Sequence, residues 1–368
     1  MHPKKSLYQL HCMNSSESKK PVTFLDRNEY NYEIAPLVAQ TLKEFDPNEL
    51  CTYTRWFQQG IKSELSEFIG KMYDVPESNV VLGYGGEDIL KGVIHCFLSQ
   101  GHQQRKILIP TFSWWYYKSI ADEVNGQTIM YPLYEDGYDF KYHISEIKRI
   151  AKEENPDILL LASPNNPTGN SLTVDEIKEI ISDLSHDTIV VIDEAYTSFA
   201  NKDITYIKKL INEFPNLLII RTFSKFYGLP GLRLGYAFMG EGLKKFSGFS
   251  TMYLGYNKLT EKLGIAALKS TDYYNGNAEK MQQDKELYKK ELNPLEGFKV
   301  YNSDANFVLV KYPTELKEKL QEALQKDNII VKFMNEEGLR THMRITLGRT
   351  EVNQRVVEII KSVALNNK

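Results

Sequence analysis

Seven apolar runs of strand length punctuate the first two thirds of this chain, at 79–83, 106–110, 127–132, 157–162, 188–193, 217–222 and 234–239. Amphipathic stretches fill several of the gaps, for example VDEIKEIISDL (174–184), which Thr173 opens as an N-cap. Buried strands alternating with helices predict an α/β fold with a mostly parallel central sheet. After residue 240 the pattern changes. Residues 256–293 are charged and helical, and read as a long connecting helix and its successor. Short strands at 297–311, 328–333 and 342–347 then surround a helix at 314–326, an α+β lobe of its own. At 368 residues the chain exceeds one ordinary core. The expected division is an N-terminal segment 1–40 packing on the small lobe, a large domain 41–255 and a small domain 256–368.

In an open α/β sheet, ligands bind outside the carboxyl ends of the strands. Three runs end in reactive groups. Leu217–Ile220 leads into TFSKFYGLPGLRLG (222–235), where Lys225 follows the hydroxyls Thr222 and Ser224 and precedes Arg233 by eight positions. Lysine forms Schiff bases with aldehydes. Hydroxyls and an arginine beside it suit a phosphate monoester. Pyridoxal 5'-phosphate carries both groups. DILLLASPNNPTG (157–169) delivers Asn166 on a rigid turn, and TIVVIDEAY (188–196) delivers Asp193 and Tyr196. A carboxylate such as Asp193 keeps a pyridine nitrogen protonated, which makes the ring a better electron sink. Asn166 and Tyr196 can donate to the ring's 3'-oxygen. Singly, these are a loop lysine, a turn and a strand-end aspartate. Their common position after buried strands argues for one cleft.

These three segments resemble the fold-type I pyridoxal-phosphate enzymes, and among them the aminotransferase group that includes histidinol-phosphate aminotransferase. The resemblance runs from about residue 24 to about 350. It implies a mostly parallel sheet sandwiched by helices, with a smaller α+β domain. It makes Lys225 the Schiff-base lysine, Asp193 the partner of the ring nitrogen, Asn166 and Tyr196 the pair on the 3'-oxygen, and Thr222, Ser224 and Arg233 phosphate ligands. VVLGYGGEDILKG (80–92) puts Gly85, Gly86 and Glu87 at the family's phosphate loop, where backbone N–H groups and a helix dipole hold an anion. Tyr84 and Gly86 stand where Asn and Ser are common. Phe112, two residues after Pro110, matches the aromatic stacked on the ring, and Trp114, Trp115, Tyr116 and Tyr117 follow it as a packing cluster. Tyr53 matches a tyrosine that reaches the partner subunit's cofactor phosphate, so a homodimer is expected.

On the substrate side the resemblance implies that Arg344, in MRITLG (343–348), clamps an anionic group, with Asn28 and Tyr32 of DRNEYNYE in a lid segment. Lys332 stands near a position usually held by a second arginine. Lysine is a point charge and not a fork, so a different substrate shape from histidinol phosphate is expected. FSTMYLGYNKL likewise replaces a basic, proline-containing segment. The implied reaction is ping-pong transfer of an amino group from a donor to a keto acceptor, on small and phosphorylated substrates. Decarboxylation of a phosphorylated amino acid, as in the related threonine-phosphate decarboxylase, uses the same cofactor residues and is the alternative.

Net charge is −3, from 45 basic and 48 acidic residues, which implies no nucleic-acid or membrane surface. Only some two dozen residues precede the fold, too few for the DNA-binding module of a cofactor-binding regulator. Cys12, Cys51 and Cys96 lack metal-ligand spacing, and the seven histidines form no paired motif, so free thiols and no metal are expected. The polar N-terminus lacks an apolar signal core. A cytoplasmic enzyme is the expectation.

Overall fold

The computed structural model describes residues 21–99 and 103–366; Cys12 and the rest of the first twenty residues lie outside them. In chain order the strands are β1 (Thr23–Leu25), β2 (Val80–Gly83), β3 (Lys106–Pro110), β4 (Gln127–Tyr131), β5 (Leu133–Asp136), β6 (Asp139–Tyr142), β7 (Ile158–Ala162), β8 (Ile189–Asp193), β9 (Leu217–Thr222), β10 (Gly235–Met239), β11 (Lys299–Val300), β12 (Phe307–Lys311), β13 (Ile329–Phe333) and β14 (His342–Thr346). All seven apolar runs are strands, each within a residue of its expected ends.

Packing divides the chain elsewhere than at 40 and 255. The larger unit is Tyr30–Glu279 with Asn302–Asn306, and the smaller holds the described residues up to Glu29, Lys280–Tyr301 and those from Phe307 onward. One boundary falls inside the helix Thr271–Leu292. Two more interrupt the expected strand 297–311, whose residues 302–306 pack in the larger unit, where Asn302 N–H donates to the Tyr138 carbonyl at 2.8 Å.

The larger unit carries a seven-stranded sheet in the order β2-β10-β9-β8-β7-β3-β4. β10 runs antiparallel to both neighbours, and the pairs from β9 to β4 are parallel. Why the runs are apolar throughout is plain from their packing. Successive strand residues point to opposite faces. Val190 and Ile192 enter one core with Leu159, Leu161, Leu217 and Ile219. Val191 enters the other with Ile158, Leu160, Leu218 and Ile220. A sheet buried on both faces cannot alternate apolar with polar. Helices supply the far side of each core. Val174–Ser182 turns Ile177, Ile180 and Ile181 inward. It begins at a capping box in which Thr173 accepts from the Glu176 N–H and Glu176 accepts from the Thr173 N–H. That reciprocal satisfaction of two orphan donors is what the Thr-x-x-Glu spacing encodes.

The smaller unit has a five-stranded sheet, β1-β13-β14-β12-β11, with β1 parallel to β13 and the rest antiparallel. The helices Lys317–Lys326 and Thr350–Leu365 belong to it. Among the described residues no helix is long and apolar enough to cross a membrane.

Candidate active site

Register along the sheet aligns the reactive strand ends. Ala162 of β7 pairs with Asp193 of β8, and Asp193 pairs with Ile220 of β9. The residues after each therefore emerge at one edge, and all belong to the larger unit. Lys225 is half-buried in a loop that closes on itself: Leu229 N–H donates to the Phe223 carbonyl at 2.9 Å and Gly228 N–H to the Lys225 carbonyl at 3.2 Å. Its Nζ lies 5.9 Å from the centroid of the buried Tyr196 ring.

Asp193 is half-buried, with Oδ2 accepting from the Tyr117 hydroxyl at 2.6 Å and Oδ1 from the Ala195 N–H at 3.0 Å. Burial pushes its carboxyl up from the ordinary range, opposed by the Tyr117 and Ala195 hydrogen bonds and by the Lys225 charge. Tyr117 comes from the aromatic run that the sequence marks only as packing. The signal available was chemical: a buried phenol needs a polar partner, and the sequence does not say which.

The turn that carries Asn166 is built by its neighbour. Asn165 is fully buried, and its Nδ2 donates to the Phe112 carbonyl and to Thr168 Oγ1. This bond ties the Phe112 backbone to the turn. The Phe112 ring meets Phe140 edge-on at 6.0 Å.

A second cluster forms where the helix Gly86–Leu98 begins. Gly85, its N-cap, has φ +93°, and no side chain caps the first turn. The first N–H groups of a helix are a ready anion site. Gly86 faces Thr222, whose Cβ would lie 3.5 Å from a Cβ placed on the glycine. Ser224 N–H donates to Thr222 Oγ1 at 3.1 Å, and the two hydroxyls are 3.0 Å apart. Arg233, itself left-handed at φ 48°, spans the loop and pairs with Glu87 at 3.2 Å. A Cβ on Gly85 would stand 2.8 Å from Arg233 Nη2, a side-chain end that can shift, so it is the φ of +93° that calls for glycine there. Gly235, which the sequence reading passes over, is as demanding. A Cβ there would lie 2.4 Å from Gly85 C and Gly86 N. Hydroxyls, a guanidinium and undirected N–H groups around a glycine cradle are a donor set that fits a phosphate.

Residues outside this cluster are placed as follows. Tyr53 is exposed, at 63%, and lines a cavity of about 540 Å³ with Arg55, Trp56, Lys258, Glu261 and Lys262. The Tyr32 ring packs against Tyr30 at 5.5 Å. In the smaller unit Asn28 is buried and left-handed at φ 55°, with its N–H donating to Thr346 Oγ1 and its Oδ1 accepting from that hydroxyl. Arg344 is largely buried over the Phe307 ring and donates to the Asp26 carbonyl at 2.5 Å. Lys332 on β13 is the register partner of Arg344 on β14. Partners across an antiparallel ladder share a face, so two cations stand side by side.

Comparison with known proteins agrees with this chemistry. The model of the aminotransferase class I and II family matches residues 20–360. A histidinol-phosphate aminotransferase of Brachyspira hyodysenteriae is 31% identical over 346 residues, covering 93% of this chain and 92% of that protein. Histidinol-phosphate aminotransferase of Sinorhizobium meliloti, solved in complex with pyridoxal-5'-phosphate, superposes with a TM-score of 0.80 at 21% identity, over 94% of this chain and 93% of that one. That of Clostridium acetobutylicum gives 0.82 at 23% identity, over 94% and 100%.

Gly235→Ala tests the cradle. The added methyl must displace the backbone at Gly85 and Gly86, so pyridoxal-phosphate affinity is expected to fall at least about tenfold, the equivalent of ~1.4 kcal/mol, within the usual cost of overpacking. Fluorescence titration of the apoprotein with cofactor reads this. Unchanged affinity would show that the loop is not the phosphate site.

Proposed function

The chain belongs to the class I and II aminotransferases, and from that premise we propose that this pyridoxal-phosphate-dependent enzyme acts on a small phosphorylated amine, amino acid or ketone, with its catalytic centre at Lys225. The observation that carries the substrate reading is the opposed pair Lys332 and Arg344. Like charges directly across a ladder are destabilising, so their retention suits a site for an anion. Arg344 offers a planar fork and Lys332 a single point charge. The relatives named above carry histidinol phosphate in their names. The lysine in place of a second fork favours a smaller or differently placed phosphate.

Pyridoxal phosphate supplies an aldehyde that condenses with amines and a ring that takes up an electron pair. The protein does the rest. Thr222, Ser224, Arg233 and the N–H groups of Gly86 and Glu87 would hold the phosphate. Asn166 and Tyr196 would donate to the 3'-oxygen, Phe112 would pack against the ring, and Asp193 would keep the ring nitrogen protonated. Lys225 Nζ takes the proton from the substrate's α-carbon and later returns it, as a general base and then acid. Asn28 braces the segment beside Arg344, and Tyr32 is a contact for the substrate's anionic end. Donor and acceptor use the same site in turn, which makes the kinetics ping-pong.

We also read the enzyme as a cytoplasmic homodimer with Tyr53 shared across the interface. Supporting this, Leu50, Tyr53, Phe57, Tyr253 and Leu254 of the larger unit are all more than half exposed, and the rings of Phe57 and Tyr253 lie 5.6 Å apart. Exposed apolar groups gathered in this way mark association surfaces.

Lys225→Ala should abolish turnover while pyridoxal phosphate still binds, because every other contact remains. Equilibrium dialysis with parallel rate assays checks both, and turnover at the parent rate would overturn the assignment. Across a panel of amines, short phosphorylated substrates should be preferred to histidinol phosphate, and Arg344→Ala should lower kcat/KM for them by roughly 2–4 kcal/mol. Efficient use of phosphate-free amines, histidinol phosphate as the best substrate, or carbon dioxide release in place of amino transfer would each refute part of this reading. Mixing inactive Tyr53→Ala and Lys225→Ala protomers should restore activity, because a hybrid dimer gathers both defects in one site and leaves the other intact. A fully active monomer would exclude a shared site.

A further inference from the structure

Tyr117 is 3% exposed on the helix Tyr116–Glu123, its ring edge-on to Trp114 at 5.8 Å. Its hydroxyl donates to Asp193 Oδ2 at 2.6 Å, a short contact of the kind made to charged acceptors. The other oxygen, Oδ1, accepts the Ala195 N–H. These two donors, one from the helix and one from the turn after β8, hold the carboxylate from two sides. Each carboxylate oxygen has two lone-pair sites, so one on each remains for a ligand. Tyr142, which also lies close to Asp193, donates to the Ala162 carbonyl. The phenol of Tyr117 is thus the side-chain donor committed to Asp193.

Resting on the assignment of Asp193 to the ring nitrogen, we propose that Tyr117 is a positioning residue which, by donating to Asp193 Oδ2, keeps the proton shared between that carboxylate and the cofactor's pyridine nitrogen on the nitrogen. The physical logic is a competition for one proton. Transfer from the ring nitrogen to Asp193 would neutralise the carboxylate, and a neutral acid accepts a hydrogen bond more weakly than an anion does. Every donor to the carboxylate therefore favours the charged pair. The other groups facing Asp193 are Lys225, whose charge acts in the same sense, Glu194, which acts against it, and the neutral phenol of Tyr142, while Tyr196 faces Tyr117. Tyr117 reaches the reaction only through Asp193.

The test uses holoenzyme reconstituted with pyridoxal phosphate labelled at the ring nitrogen, whose NMR shift reports protonation of that atom across a pH series. In Tyr117→Phe the ring nitrogen should lose its proton at a midpoint about one pH unit lower than in the parent, the loss expected for one hydrogen bond to a charged group. Placing a fluorotyrosine at 117 makes the phenol a stronger donor in the same shape and should move the midpoint upward. The expected kinetic companion is a fall in kcat of about tenfold for Tyr117→Phe, with KM nearly unchanged, since the substrate's contacts are untouched. Asp193→Asn separates the two layers of the proposal. If Asp193→Asn strips the proton while both Tyr117 variants leave the midpoint in place, Tyr117 is only packing and the proposal falls. If Asp193→Asn leaves the nitrogen protonated as in the parent, the underlying assignment of Asp193 fails. Opposite shifts in the two Tyr117 variants, with loss in Asp193→Asn, support it; a packing role alone would not move the midpoint in opposite directions.

Discussion

A single buried ion pair fixes the two strand ends on which the site stands. Arg221, the residue before Thr222, donates to Glu194, the residue after Asp193, at 2.9 Å, and both side chains are at most 4% exposed. Two charges out of water are tolerable only if their remaining hydrogen-bonding capacity is met. Here it is met by phenols. Tyr206 accepts from Arg221 at 2.9 Å and donates to Glu194, and Tyr73 accepts from Arg221 at 3.0 Å and lies 3.0 Å from the Tyr236 hydroxyl. Five side chains from two helices, two strands and one turn are thereby locked together. Removing one partner from such a pair costs about 3–5 kcal/mol, because the other charge is left buried alone. The pair does not touch the reactive face. Residues alternate along a strand, so Arg221 and Glu194 point one way while Thr222 and Asp193 point the other. The network holds β8 and β9 in register, and the register places Asp193 relative to the loop of Lys225.

On that frame the candidate phosphate cradle joins backbone N–H groups to the Thr222 and Ser224 hydroxyls and the Arg233 guanidinium. Gly235 is needed because its main chain approaches that of Gly85 and Gly86 too closely for a Cβ, Gly85 because its φ is +93°, and Arg233 accepts a left-handed conformation beside them. A non-glycine residue in that region costs about 1–3 kcal/mol and persists where its surroundings over-determine it. The bonds that close the 223–229 loop and the hydroxyl contact of Thr222 with Ser224 supply that determination.

How much of this the sequence discloses depends on whether the cause is local. Strands buried on both faces are legible because each is apolar throughout, and the helix after Thr173 is legible because its capping box is written within four residues. The common edge of Lys225, Asp193 and Asn166 is legible because Asp193 ends such a strand and the other two follow one. The division into units is not, since residues 302–306 sit between β11 and β12 yet pack with the larger unit, and no composition shift marks 279. Tyr117 meets Asp193 across 76 positions of chain, and Arg221 meets Tyr73 across 148. Such pairs depend on which strands become neighbours, which is settled by the whole sheet. Asn28 illustrates the converse. It lies in a segment that resembles a lid, while its backbone and amide are bound to Thr346, 318 positions away.

The residues assigned to the cofactor all belong to the larger unit, and the opposed cations Lys332 and Arg344 belong to the smaller. The residues assigned to the cofactor would not by themselves decide which bond to a substrate's α-carbon is broken. That choice follows from how the substrate's anionic groups are held, since the bond set perpendicular to the ring is the one weakened. A bidentate guanidinium fixes both the position and the plane of a carboxylate or phosphate, whereas an ammonium fixes position and leaves rotation open. One fork and one point charge therefore orient a substrate with two anionic ends differently from two forks. Arg344, with its guanidinium stacked on Phe307 and anchored to the Asp26 carbonyl, is the rigid member of the pair. Lys332 is exposed and adaptable. On the proposed reading, Arg344 would fix both the position and the plane of the anionic group it holds, and Lys332 only the position of the other.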